Sequence, residues 1–231
     1  MSRSSLETIQ AIIQASHYVD HPDRSLSAGP RPLITVSRSC GSDGTEVARR
    51  VAAALGVACY DRELLQKIVK ELKANRHLME QIDEKVTGVM DDVLQSLFSK
   101  KSVPKDLFFR YMTKVILSIC KTGGVIVGRG AHLLIPEQQP VLRVRIEGSL
   151  DVCSKRLAAR MAIKPAKARQ LIEKTNAERD AFVAQLYRKF PTQRTHYDLL
   201  INSDLFTLEQ AVRIILAAAH TLGLSSVPVV E

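Results

Sequence analysis

The residues best suited to do chemistry fall in one short stretch, Ser39-Cys-Gly-Ser-Asp-Gly-Thr-Glu46, and in a set of arginines spread over the second half of the chain. Small and hydroxylic residues around two glycines let a backbone turn tightly and aim several N–H groups at one point. Where such a turn opens a helix, those donors and the positive end of the helix dipole converge on an anion, and phosphate is the natural guest. Arginine complements them, because a guanidinium meets phosphate oxygens in pairs and keeps its charge near neutral pH. The implied chemistry is the holding or transfer of phosphoryl groups.

The flanking residues must position that turn. Leu33 to Val36 is a short β-branched run that reads as a strand, Ser37 to Gly44 is polar and turn-forming, and Val47, Val51, Ala54 and Leu55 show helical spacing before a stop at Gly56. The phosphate-loop pattern is G-x-x-x-x-G-K-[ST]. With Gly44 as its second glycine, Ser39 replaces the first, Thr45 the lysine and Glu46 the Ser/Thr. An ordinary helix start competes with this reading, since Asp43 at the N-cap with Glu46 three residues on forms a capping box.

Further along, Val57 to Tyr60, Val125 to Val127, Val141 to Ile146 and Tyr197 to Ile201 read as four more strands. Helices are expected at residues 5–19, from Asp61, over most of 75–122 with a break at Pro104, and at Ser149–Met161, Pro165–Arg188 and Leu208–Leu222. Strands alternating with helices imply a parallel sheet covered on both faces, with ligand loops after strands one, three and five. Arg143 and Arg145 alternate with apolar residues in the fourth strand, which calls for a solvated or paired face near an edge. Arg129 follows the third strand, and the two helices after the fourth carry Arg156, Arg160, Arg179 and Arg188, which resemble an arginine-lined lid. Solvated i, i+4 pairs such as Lys174 with Glu178 are the plainer use of such charges.

Composition narrows the function class. The chain has 231 residues, 45% of them hydrophobic, enough for one α/β domain. The net charge is +9, and residues 143–194 alone hold 13 Lys/Arg against five Asp/Glu. Such a basic block points to a polyanion. With 5% aromatic residues, no Trp and no nucleic-acid motif, a nucleotide triphosphate fits better than a nucleic acid. Residues 6–19 are interrupted by Glu7, Gln10, Gln14 and His17 and so lack a signal-peptide core, and no run approaches a membrane span. Cys40, Cys59, Cys120 and Cys153 are far apart without a C-x-x-C pair, which argues against zinc and for a reducing, cytoplasmic setting. Cys40, inside the loop, is either a thiol activated by the helix start or a small packing residue.

Four segments, Ile34-Thr-Val-Ser-Arg-Ser-Cys-Gly-Ser-Asp-Gly-Thr-Glu46, Tyr60-Asp-Arg-Glu-Leu-Leu65, Val125-Ile-Val-Gly-Arg-Gly-Ala131 and Tyr197-Asp-Leu-Leu-Ile-Asn-Ser-Asp204, together resemble the cytidylate kinase-like branch of the P-loop nucleoside monophosphate kinases. The resemblance implies a three-layer P-loop NTPase fold over residues 33–222, with a five-stranded parallel sheet, a helical NMP-binding insertion and an arginine lid. Residues 1–32 are then an amino-terminal helix and linker, and 223–231 a tail. It further implies ATP with Mg²⁺ on Ser39, Gly41, Ser42, Asp43, Gly44, Thr45 and Glu46, without a dedicated protein metal site. A nucleoside monophosphate acceptor, CMP among the candidates, would lie near Asp61, Arg129 and Arg188. Arg129, Arg156, Arg160 and Arg179 would stabilise the transferred group, and a homodimer is compatible with the resemblance.

The departures sit at the chemistry. The resemblance implies Lys or Arg where this chain has Thr45, and Asp where it has Gly130. Cations on the developing charge carry much of phosphoryl-transfer catalysis, so Arg38 or a lid arginine would have to substitute. If the loop cradles ATP, Thr45→Lys is expected to raise transfer. The alternative is a degenerate kinase fold that binds a nucleotide or phosphorylated metabolite as a regulatory or sensory module.

Overall fold

The β-branched run after Pro32 forms β1 (Leu33–Arg38), the centre of a five-stranded sheet. In the computed structural model, residues 7–10, 31–75, 77, 78, 80, 104–189 and 197–225 are described, with 104–107 and 187–189 as backbone alone. After β1 come α1 (Gly44–Ala54), β2 (Cys59–Tyr60), α2 (Arg62–Ala74), α3 (Pro104–Thr122), β3 (Gly124–Val127) and the short α4 (Ala131–Leu134). The chain continues through β4 (Leu142–Glu147), α5 (Leu150–Met161), α6 (Pro165–Lys189), β5 (Leu199–Asn202) and α7 (Leu208–Thr221).

The strand order is β2-β3-β1-β4-β5, and every pairing is parallel. Ile34 lies opposite Val125 on one side and Leu142 on the other. Parallel neighbours need a crossover between them, which is why helices cover both faces. Alternation along β1 assigns the faces: Leu33 packs with Leu65, Ile68, Met112 and Ile116 of α2 and α3, whereas Ile34 and Val36 pack with Val47, Val51, Ile215 and Ala219 of α1 and α7. The expected three-layer α/β architecture is the one formed.

Local sequence explains the helix ends. Asp61 caps α2, accepting from Glu63 N and Leu64 N, and Pro104 and Pro165 are the first residues of α3 and α6. The capping box considered at Asp43 and Glu46 does not form. Asp43 takes a left-handed backbone (φ 58°) and its side chain caps nothing. A capping box closes α7 instead, between Thr207 and Gln210.

β4 lies one strand in from the edge strand β5, and its arginines are paired. Arg143 is buried; its Nε donates to His132 O at 3.2 Å, its Nη2 to Ile135 O at 3.3 Å, and its Nη1 lies 3.9 Å from Asp198. Those acceptors offset the cost of withdrawing the cation from water.

Residues 7–10 are helical, and Ile9 is buried against the face built by α2 and α3. The rest of the expected amino-terminal helix, its linker and most of the helical stretch expected over 75–103 lie outside the described residues. No helix among the described residues is long and apolar enough to cross a membrane.

Candidate functional site

The loop between β1 and α1 is held from beneath. Ser39 N donates to Ile146 O at 3.0 Å, Cys40 N to Asn176 Oδ1 at 2.8 Å, and Ser42 Oγ lies within reach of Ser39 O and Ile146 O. Cys40 serves as a packing residue against the small α5–α6 cluster that contains Cys153. Gly41 is required by contact as well as conformation: its φ is +84°, and a Cβ there would lie 2.8 Å from the Cβ of Cys153. Farther along, Asp43 O accepts from Glu46 N and Val47 N. The amides of Gly41, Ser42, Asp43, Gly44 and Thr45 have no acceptor among the described residues. Free donors at a helix start are groups that suit an anion.

The loop's own carboxylates do not fill it. Asp43 turns to Arg160 at 2.9 Å and faces Arg156 at 4.0 Å, while Glu46 turns back along α1 to Arg50 at 3.2 Å and Arg49 at 4.0 Å.

On the side of β1 and β3, Ser37 and Arg38 at the base of the loop open onto a cleft of about 130 Å³ lined by five arginines: Arg38, Arg62, Arg129, Arg145 and Arg179. Glu178 and Asp180 are the carboxylates on the same walls. Arg129 has positive φ (56°) and lies over the ring of Phe182, 5.4 Å from its centroid. Its Nε and Nη2 are buried without a hydrogen-bond partner. Burial, and then Arg62, push Arg129 down to about 10. Burial, then Arg179 and Arg62, push Arg38 down to about 10. Arg179 is lowered mainly by burial, with Arg62 and Arg145 adding to the effect. Cations that are desolvated and repel one another define a site whose charge is balanced by an incoming anion.

On the other side of the loop, Ser42, Asp43, Val47, Arg156, Ser203, Phe206 and Thr207 line a smaller recess, and Arg156 Nη2 donates to Ser203 O at 2.6 Å.

The anticipated residues are thus divided. Ser39 to Asp43 form the loop and Gly44 to Glu46 the first turn of α1, with Ser42 and Asp43 also on the smaller recess. Arg129 and Arg179 meet in the arginine cleft, whereas Arg156 and Arg160 reach Asp43 beside the smaller recess. Of the arginines expected in a lid, Arg156 and Arg160 are therefore grouped apart from Arg179. The side chain of Arg188 lies outside the described residues. Asp61 uses Oδ1 on the α2 amides and Oδ2 on Arg49 at 3.1 Å, so both oxygens are engaged at the cleft's margin. Arg62 and Arg145 were not anticipated. The first adjoins Asp61 in a segment already singled out, and the second is a charged residue in a strand otherwise built for burial.

Among the described residues, no three His, Cys, Asp or Glu side chains gather as a metal cage.

The profile of the cytidylate kinase-like family matches residues 33–205. An uncharacterised protein from Eubacterium ventriosum ATCC 27560 has a similar crystal structure, with TM-score 0.61 and 20% identity over 83% of this chain and 99% of that one. A shikimate kinase from Bacteroides thetaiotaomicron (TM-score 0.44, 13% identity, 82% and 98% covered) and a sugar kinase from Janibacter sp. HTCC2649 (TM-score 0.42, 12% identity, 81% and 94% covered) are weaker structural matches. No curated protein sequence matches the chain. Because the family profile spans β1, the glycine loop, the arginine cleft and the turn after β5, this chain belongs to the cytidylate kinase-like family and has a kinase-like fold.

Proposed function

We propose that this protein is a phosphotransferase that moves the γ-phosphoryl group of ATP to a small phosphorylated acceptor of the nucleoside monophosphate class, CMP among them. The observation that carries the reading is the juxtaposition of five unpaired amides, Gly41 to Thr45, with a cleft of five arginines. Donor phosphates fit the amides, and the donor's base fits the smaller recess by Ser203 and Phe206. The acceptor's anionic group fits the arginine cleft, where Arg129 has two donors to spare. Mg²⁺, when bound, would neutralise charge on the donor phosphates. An acceptor that is already an anion needs no general base, so positioning and cation placement are the protein's contribution.

The basic block supports a nucleotide over a nucleic acid. Arg143 is buried, Arg145 meets Glu147 at 2.6 Å, Arg169 meets Asp151 at 2.8 Å and Glu173 at 3.4 Å, and Arg179 faces the cleft. These four charges are each engaged within the fold or in the cleft.

Coupled detection of ADP release with a panel of monophosphates tests the reading. ATP with Mg²⁺ is expected to raise the melting temperature, and one monophosphate to support turnover. Stabilisation by ATP without turnover would favour the non-catalytic binding module, to which the neutral Thr45 and the engagement of Arg160 by Asp43 also point. Neither effect would refute both.

A further inference from the structure

Position 45, where a loop of this type carries a lysine, holds threonine. The fold brings a cation to the same place from seven residues earlier. Arg38, the last residue of β1, donates from Nε to Thr45 Oγ1 at 3.1 Å. Its Nη1 lies so close to the next loop that a Cβ on Gly128 would collide with it. Glycine at 128 leaves room for the guanidinium, which spans from the start of α1 to the loop after β3. Arg179 Nη1 donates to Arg38 O at 3.0 Å, tying its backbone to α6.

The contrast with Arg143 separates function from scaffolding. Arg143 spends its donors on two carbonyls and lies beside a carboxylate. Arg38 is more than half buried as well, but it makes no ion pair among the described residues and gives one bond to a neutral hydroxyl. A scaffold arginine satisfies its charge, whereas this one keeps its terminal nitrogens for the cleft.

We infer that Arg38 takes the part of the absent loop lysine: it contacts the donor's terminal phosphate and stays with the phosphoryl group as it passes toward Arg129, and Thr45 is the positioning residue that aims it. In that step the bond between the γ-phosphorus and its bridging oxygen breaks, a bond from an acceptor phosphate oxygen to the same phosphorus forms, and ADP leaves with the electron pair. The inference rests on the phosphotransferase reading above.

The test is calorimetric titration of ATP and of ADP, each with Mg²⁺, into wild type and into Arg38→Gln, Thr45→Val and Thr45→Ser. Wild type is expected to prefer ATP over ADP. Arg38→Gln should lose ATP affinity by about tenfold or more with a much smaller change for ADP, because only the terminal phosphate loses a charge-assisted contact. Thr45→Val should fall between the two, and Thr45→Ser should restore the wild-type ratio, a rescue that a purely structural role does not produce. With a working acceptor, Arg38→Gln should lower kcat on the order of a hundredfold or more. The ligand-free melting temperature of Arg38→Gln should not fall, since the substitution removes a desolvated charge. If that variant does not fold, the Val and Ser variants decide. An unchanged ATP-to-ADP ratio in Arg38→Gln, with wild type binding ATP, overturns the inference and leaves the phosphotransferase reading standing. A wild type that binds neither nucleotide overturns that reading, and the inference with it.

Discussion

Asp43 Oδ1 and Arg160 Nη1 lie 2.9 Å apart, which joins the phosphate loop to the arginine helix α5 through the carboxylate nearest the free amides. The pair is half exposed, so its contribution to stability is expected to stay within about 1 kcal/mol. On the proposed reading its effect on a bound anion is larger, because it places a negative charge beside the proposed binding loop and occupies the Arg160 cation. Asp43→Asn keeps a residue tolerant of left-handed backbone. It is expected to tighten ATP binding several-fold in titrations at low salt, with the gain shrinking as salt is added. Weaker binding would mean that Asp43 assists the ligand.

The loop pattern alone makes Thr45→Lys a repair. Beside Arg38 it becomes a second cation packed against the first, and the hydroxyl that accepts from Arg38 is lost. We therefore expect Thr45→Lys to lower both the ligand-free melting temperature and ATP affinity. In the Arg38→Gln background the same change is expected to restore affinity. Increased turnover in the single variant would show that the loop lacks its cation.

Gly41→Ala sets a methyl 2.8 Å from Cys153 at a backbone angle of +84°. A loss of about 1–3 kcal/mol is expected in urea unfolding, from overpacking and backbone strain combined. The same variant should lose its ATP-induced thermal shift, since the amides it displaces are the proposed binding groups.

Arg129→Met separates binding from stability. The guanidinium is buried with Nε and Nη2 unpaired, and Phe182 offers a ring suited to a thioether. The ligand-free variant is expected to melt at or above the wild-type temperature, and stabilisation by CMP or inorganic phosphate should disappear. A lower melting temperature with phosphate stabilisation retained would make Arg129 a structural residue.

Asp61 supplies a pH dependence. Burial alone would raise its carboxyl, but the amides of Leu64 and Glu63 and the guanidinium of Arg49 hold it below the ordinary value. Its contribution to stability is therefore present above about pH 3.9, the unfolded value, and is lost as pH falls through the lower folded value. Asp61→Ala is expected to cost about 1 kcal/mol at pH 7 through the lost helix cap. Urea titrations at pH 7 and pH 3 should show the gap between wild type and variant narrowing in acid.

The strands, most helix boundaries and the family were legible in the sequence because their signals are local. Leu33 to Val36 reads as a buried strand wherever it lies, and Ser39 to Asp43 can do little other than turn. What the residues around Arg38 do was not legible. A guanidinium reaches several ångströms from its backbone, and its neighbours are chosen by the order β2-β3-β1-β4-β5, which brings Arg62, Arg129, Arg145 and Arg179 to one cleft from four segments far apart in the chain. The same packing divides Arg156 and Arg160 from Arg179, and it turns Asp43 from a plausible helix cap into a left-handed residue paired with Arg160. The sequence by itself determined that a glycine-containing turn would open a helix after β1. Tertiary structure alone decided which cations face it, because like charges are held together only when a packed core fixes their backbones against the repulsion.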